Sequence, residues 1–410
     1  MPPTPSGASL SLKQVLIYGG LLVTLSMGIR HGFGLFNLPI TAANGWDRET
    51  FALTIALQNL VWGALQPVTG ALADRFGAFR VMVVGGILYA LGLIGMGISS
   101  NAFNFTMAGG LLIGLAQTAT TYSVVYGILG RNVSAEKRVW AMGIAAAAGS
   151  FGQFLMIPVE QSLINQFGAS DALLLLGLMA TLMLPIAFKL RENTTQQVHQ
   201  LGEQTIAQAL KEASRNPSFQ LLTLGYFVCG FQVVFISVHL APYLADAAKS
   251  TPALSSPTVA SSALAIIGLF NVFGTFYAGV LGQRFPKRYL LSGIYFSRAI
   301  AIAIFILAPI SPLSTYLFAA VMGFLWLSTV PLTNAIVAQI FGVKYFSMLS
   351  GLVFFSHQLG SFCGAYLGGY LFDQTGSYDM VWMIAIALGA FAALINLPIR
   401  EHALERAIHA

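Results

Sequence analysis

Apolar runs of about twenty residues, parted by short polar turns, recur along the whole chain of 410 residues. Wound as helices, runs of that length match the roughly 30 Å hydrocarbon thickness of a bilayer. They predict twelve spans, at 15–43, 50–72, 79–99, 104–130, 139–162, 171–190, 219–245, 258–282, 289–310, 313–340, 347–372 and 379–399. One long polar stretch, Arg191 to Pro217, interrupts the series, and around Thr205 to Ala213 its apolar positions have helical spacing. The pattern therefore divides the chain into a tail at 1–13, a six-helix bundle at 14–190, a linker with an amphipathic helix at 191–218, a second bundle at 219–399 and a tail at 400–410.

Composition agrees with an all-α membrane protein: 56% hydrophobic residues, 8% charged and a mean hydropathy of +0.76 exceed what a soluble core needs. The net charge of +6 raises the question of nucleic acid, but the placement of the basic residues answers it. Sixteen lysines and arginines fall in alternate loops and tails, and only Arg48 and Lys249 fall on the other side. Such an asymmetry puts both termini in the cytoplasm and explains the charge by topology, with no nucleic-acid partner. The Pro- and Ser-rich segment before Lys13 lacks a signal-peptide cleavage pattern, so it is expected to stay uncleaved and cytoplasmic. Cys229 and Cys363 lie inside apolar runs and suggest no disulfide framework. The expected place is a multi-pass position in a bacterial inner membrane, as a monomer in the lipid bilayer.

Between the second and third spans lies Gly70-Ala-Leu-Ala-Asp74-Arg75-Phe-Gly77-Ala-Phe-Arg80. This loop resembles the signature of the major facilitator superfamily, in which glycine permits close helix approach and Asp and Arg form a conformational charge network. Its echo Gly279-Val-Leu-Gly-Gln283-Arg284-Phe-Pro-Lys-Arg288 follows at an offset of 279 − 70 = 209 residues. Gly143 and Gly152 recur as Gly351 and Gly360, each 208 residues later (351 − 143, 360 − 152). Duplicated six-helix halves are what the superfamily's parallel repeats imply, with a substrate site near the midplane between them. In the second copy Gln283 replaces Asp74, so that loop's charge network is degenerate. The fifth-span stretch from Trp140 through Gly149-Ser150 to Gln153 is similar to a signature of the monocarboxylate transporters and their bacterial oxalate/formate-antiporter relatives. That family's first-span acidic pattern is replaced here by Arg30 among Gly28, Gly32 and Gly34.

Charged residues inside spans carry the functional question, because each is costly in lipid and usually faces a protein interior or a water path. Two are cationic, Arg30 and Arg298; one is acidic, Glu160; His31, His239 and His357 are titratable. Counted along their helices at 1.5 Å per residue, Arg30 lies roughly 24 Å and Glu160 roughly 33 Å from the same face. Arg30 is then either tied to Glu160 through long side chains or is the counter-charge of an anion, which a guanidinium binds bidentately. The resemblance implies a substrate arginine in the eighth span, where this chain has Asn271 and no cation, so the role passes to Arg30 or to Arg298 in the ninth. His357 stands in the span where oxalate-exchanging relatives carry a substrate lysine; it could bind a carboxylate, relay a proton or simply pack. Gln117, Thr121 and Tyr122 of the fourth span, with Trp326, Thr329 and Thr333 of the tenth, complete the cavity candidates, Tyr122 and Trp326 through the resemblance. The proton-coupling candidates are His357, Glu160, His31 and His239.

No phosphate loop, metal-spaced cluster or nucleophile elbow occurs, so neither enzymatic chemistry nor a cofactor is expected. The sequence thus reads as a secondary transporter of a small organic anion, a monocarboxylate by preference, proton-coupled through one of the titratable groups. An exporter of amphipathic or drug-like compounds and a non-transporting membrane sensor are the alternatives.

Overall fold

The structure is a computed structural model that describes residues 10–133, 135–192, 205–342 and 345–404. Eleven of its helices are long and apolar enough to cross a bilayer: Leu12–Asn44, Arg48–Ala73, Ala78–Ile98, Ala102–Leu129, Ala141–Phe167, Ala169–Lys189, Pro217–Ala247, Pro257–Arg284, Lys287–Leu307, Pro312–Phe341 and Asp379–Asn396. The thirty-residue helix Phe346–Thr375 completes twelve. It is less apolar because Ser356, His357, Gln358 and Ser361 interrupt its hydrophobic run. Between the sixth and seventh spans a surface helix, Ile206–Arg215, starts at a Thr205–Gln208 capping box. Residues 193–204 of the linker, and those of the two tails before 10 and after 404, lie outside the described residues.

Two related six-helix halves are visible in how glycines let helices approach. Gly152 of the fifth span rests on the backbone of Thr24 in the first, and Gly360 of the eleventh rests on the backbone of Phe227 in the seventh. These contacts occupy the positions that the sequence repeat equates. In lipid, where apolar side chains gain nothing by leaving the solvent, such small-residue contacts hold helices together. At the terminal-face end of the second span, Gly77 alone links two helices with φ 89°, a backbone conformation side chains rarely adopt. Arg75 and Arg80 flank this turn and are exposed, whereas the Asp74 side chain lies outside the described residues.

The halves touch each other unevenly. At the face opposite the termini, Arg48 of the second span donates to Asp246 of the seventh at 2.6 Å, and Tyr366 of the eleventh donates to Glu49 at 2.8 Å. Near mid-depth, Trp62 meets Phe354 edge-on at 5.3 Å, Asn271 donates to Ser150, and Gly34 packs on the Ser237 backbone. Toward the termini the repeated glycines Gly70, Gly143, Gly279 and Gly351 have open space where a Cβ would stand. The halves are therefore tied by hydrogen bonds at the face opposite the termini, the sealed face, whereas at the face that carries the termini these glycines have no neighbour where a Cβ would stand.

Four spans that the hydrophobic pattern draws as continuous are broken, the sixth of them at Thr181–Leu182. The first stops at His31, turns through Phe33–Phe36 and resumes at Asn37. The fourth breaks at Thr121 and the tenth between Leu325 and Thr329. Hydropathy cannot reveal such breaks, because a helix interrupted inside protein stays apolar overall.

Candidate functional site

Three of the four breaks, those of the first, fourth and tenth spans, coincide with residues singled out above. Arg30 ends the first helix segment, Tyr122 begins the segment after the fourth-span break, and Trp326 sits in the tenth-span break. Broken helices are tolerated at membrane depth only where protein or a cavity supplies partners, so these positions mark a site.

Arg30 is half-buried and points at the second span. Asn59 turns its amide so that Nδ2 donates to the Ile55 carbonyl at 2.7 Å, which leaves Oδ1 to accept from Arg30 Nη2. The guanidinium carbon lies 5.0 Å from the centre of the Trp62 ring, a cation–π distance. Trp62 is fixed in turn, donating to Gln66 Oε1 at 2.7 Å, while Gln66 donates to the Thr118 carbonyl at 3.0 Å. Gln58, one residue before Asn59, donates to the Gly109 carbonyl and accepts from Gln117 Nε2 at 3.2 Å. Gln58, Asn59, Trp62 and Gln66 thus form one polar face of the second span that cradles the arginine. None of these residues is among the candidates drawn from the sequence above; the spacing of three and four from Asn59 through Trp62 to Gln66 is the signal that marks the face.

Two things about Arg30 matter chemically. Its Nε is buried without a hydrogen-bond partner, and among the described residues it makes no ion pair. A narrow cavity at the guanidinium is lined by Arg30, Ile55 and Gln58 on one side and Val234, Ser237 and Val238 of the seventh span on the other. Ser237 Oγ is also buried and unpartnered. The cavity accordingly lies between the halves, is about 10 Å³ in this arrangement, and has the unmatched Ser237 hydroxyl in its lining beside Arg30.

Glu160 is not the partner of Arg30. Fully buried on the fifth span, it packs against Gly32, two residues along the first span from Arg30, where a Cβ would otherwise stand. In a helix, positions two apart face opposite sides, so the backbone of the first span separates the carboxyl from a guanidinium that reaches toward the second. The depth argument from sequence allowed a pair; the direction of the side chains excludes it here.

Across the interface the site continues through aromatic contacts. Trp62 meets Phe354, and Phe354 stacks on the His357 ring at 6.0 Å and 9°. His357 Nδ1 lies 3.1 Å from Gln358 Oε1, its Nε2 is buried without a partner, and Tyr226 lies 4.8 Å away, ring centre to ring centre. Trp326 is fully buried with its Nε1 unpartnered, and Gln117 Oε1 is likewise free. Asn271 accepts from the Leu327 amide at 3.0 Å, so it braces the tenth-span break and ties the eighth span to the fifth. Tyr122 packs against Tyr126 at 5.8 Å beside Gly149.

Arg298 has a different task. It is fully buried, and its guanidinium donates to the Leu325 carbonyl at 2.6 and 3.2 Å and to the Trp326 carbonyl, the groups that the tenth-span break frees. Its Nη1 donates to Gln232 Oε1 at 3.5 Å, so all three guanidinium nitrogens are engaged within the protein. Arg298→Met should leave those carbonyls unpaired at about 1–3 kcal/mol each. A clear drop in thermal stability in detergent, only partly restored by Arg298→Lys, is the expected readout.

The remaining histidines are also engaged. His31 Nδ1 donates to the Met27 carbonyl at 2.6 Å within its own helix. His239 Nε2 donates to the Ala365 carbonyl at 2.8 Å, which leaves Nδ1 to accept from the Tyr378 hydroxyl at 3.3 Å, at the sealed face. Among the described residues no group of three His, Cys, Asp or Glu could hold a metal ion.

Twelve spans in two related halves, broken helices at mid-depth and a cavity between the halves define a polytopic membrane transporter. The chain belongs to the Major Facilitator Superfamily, whose family model matches residues 16–327 and 222–409. Its members are transporters, not enzymes, and this protein is one of them. Among similar curated proteins, an uncharacterised MFS-type transporter, YcxA of Bacillus subtilis, is 24% identical over 93% of this chain and 94% of its own. Monocarboxylate transporter 13 of Rattus norvegicus is 26% identical, over 91% of this chain and 86% of its own. A solved bacterial homologue of the human lysosomal transporter Spinster, inward-facing and unoccupied, superposes with a TM-score of 0.73 at 15% identity, covering 96% of this chain and 99% of that one. That structural likeness speaks for the fold alone.

Proposed function

We propose that this transporter moves a small monocarboxylate across the membrane by rocking of its halves, with Arg30 as the counter-charge. The unpartnered Nε of Arg30, a residue that lines the inter-half cavity and has no acid paired to its guanidinium among the described residues, carries the reading. A buried cation in that position is stabilised by an arriving carboxylate, which can take Nε and a terminal nitrogen together. Ser237 offers a further donor, and Ile55, Val234 and Val238 supply an apolar lining suited to a short carbon chain. Relatives that carry the name monocarboxylate transporter support the same class. Placed by the distribution of basic residues, the termini face the cytoplasm, so the sealed face is external.

Thermal unfolding of the purified protein against a panel of acetate, lactate, pyruvate, oxalate, 2-oxoglutarate and tetraphenylphosphonium tests this. Stabilisation by lactate or pyruvate, exceeding that by the dianions, is expected. A response confined to tetraphenylphosphonium would instead show the binding preference of an exporter of amphipathic compounds.

A further inference from the structure

One titratable group inside the spans takes no part in the anion site and has no partner of its own. Both oxygens of Glu160 are buried without a hydrogen bond among the described residues, and the residue has no exposed surface. The carboxyl fills the space beside Gly32, in the break of the first span. From the fifth span it therefore rests against the break of the helix that presents Arg30, on the side away from Asn59.

Charged and titratable neighbours come from each element packed on this region. The first span brings Arg30, turned toward Asn59, and His31, tied to the Met27 carbonyl. The third span brings Tyr89, which donates to the Ser26 carbonyl at 2.8 Å and stands in the field of both Arg30 and Glu160. The fourth-span segment packed on the fifth brings Tyr122 and Tyr126. Asp171 and Lys189 lie at the two ends of the sixth span, and Tyr277 and Arg284 at the terminal-face end of the eighth. Among the described residues no cation on these elements pairs with the Glu160 carboxyl. An ionised carboxylate so placed would be buried and unpaired, whereas the protonated acid suits an apolar pocket.

We propose that Glu160 is the proton-carrying group of this transporter. Protonated while the face opposite the termini is sealed, it releases its proton as the first-span break shifts against the fifth span and water reaches the carboxyl. Because the same break carries Arg30, its movement links the proton to the anion. The assignment rests on the transport reading above, deepening it by naming the coupling residue.

Two measurements separate the assignment from that reading. Infrared difference spectroscopy of the protein in lipid, titrated from pH 5 to pH 9, should show a carboxylic-acid carbonyl band that disappears on the alkaline side and is missing in Glu160→Gln. A band insensitive to pH, or one that survives in Glu160→Gln, overturns the proposal, and neither result depends on a substrate. In proteoliposomes loaded with a pH-sensitive dye, pyruvate uptake by the wild type should rise about tenfold from pH 8 to pH 6 with proton entry. Glu160→Gln should flatten that dependence while keeping pyruvate counterflow, and Glu160→Asp should retain a shifted dependence. An unchanged pH profile and proton entry in Glu160→Gln overturns the assignment. Absence of pyruvate and lactate flux in the wild type counts against the transport reading alone, and the spectroscopic titration then decides for Glu160.

Discussion

Arg30→Ala is expected to remove the stabilisation that a monocarboxylate confers, weakening binding by a factor of about 10 to 100. The magnitude follows from a charge-assisted hydrogen-bonded pair worth about 1.5–3 kcal/mol, at 1.4 kcal/mol per factor of ten. Arg30→Lys should recover part of the affinity, since the charge survives but the planar fork does not. The unliganded variant should not unfold earlier than the wild type by the margin a broken buried ion pair would give. Removing Arg30 strips no acid of its partner, and the group it leaves is Asn59 Oδ1, whose amide stays anchored to the Ile55 carbonyl. Unaltered lactate or pyruvate binding in both variants would refute the assignment of Arg30 as the counter-charge. Loss of fold in Arg30→Ala without ligand would mark the residue as a structural tie.

Opening of the sealed face is the second large effect. Arg48 Nη1 donates to Asp246 at 2.6 Å and to the Tyr378 hydroxyl at 3.0 Å, with its guanidinium 3.7 Å over the Phe372 ring. The Glu49 amide donates to Asp373 at 2.6 Å, and Tyr378 passes the network on to His239 and the Ala365 carbonyl. Burial pushes the Tyr378 phenol up, so the hydroxyl stays protonated throughout the physiological range and the relay survives ordinary changes of pH. The Arg48 and Asp246 side chains are only 13% and 24% exposed, so solvent screens the pair weakly. Arg48→Ala should cost the sealed arrangement about 2 kcal/mol, shifting the balance toward opening at that face by roughly thirtyfold. Reaction of a single cysteine placed beside Asp246 with a membrane-impermeant thiol reagent, in a background lacking Cys229 and Cys363, would report it. Equal labelling with and without Arg48→Ala would show that the network does not hold the gate.

His239 illustrates how the same residue changes meaning between sequence and structure. In the apolar run of the seventh span it is a titratable group with no visible partner, hence a candidate for proton coupling. Its partners, Tyr378 and the Ala365 carbonyl, lie 139 and 126 residues away in the chain. Both nitrogens are committed to them, and the residue joins the sealed face to the Arg48 network. Arg298 is the same kind of case: only the fold shows that the tenth span breaks, and only the break supplies carbonyls for its guanidinium.

By itself the sequence determined the apolar spans, their order, the two related halves and the intramembrane position of the charges. Each of these is written locally: helix length against bilayer thickness, a repeat at a fixed offset, and a cation that stands out in an apolar run. Gly152 and Gly360 could be paired from the offset alone, and the structure gives both the same task. The tertiary structure decided which way each charge points and what meets it. Arg30 and Glu160 meet at the same first-span break from opposite sides: Arg30 turns toward Asn59, and the Glu160 carboxyl, reaching over from the fifth span, packs on Gly32. Depth along a helix is additive and can be counted from sequence. Direction around it depends on where the helix breaks and on which neighbour pairs first, and that is settled only when all twelve helices pack.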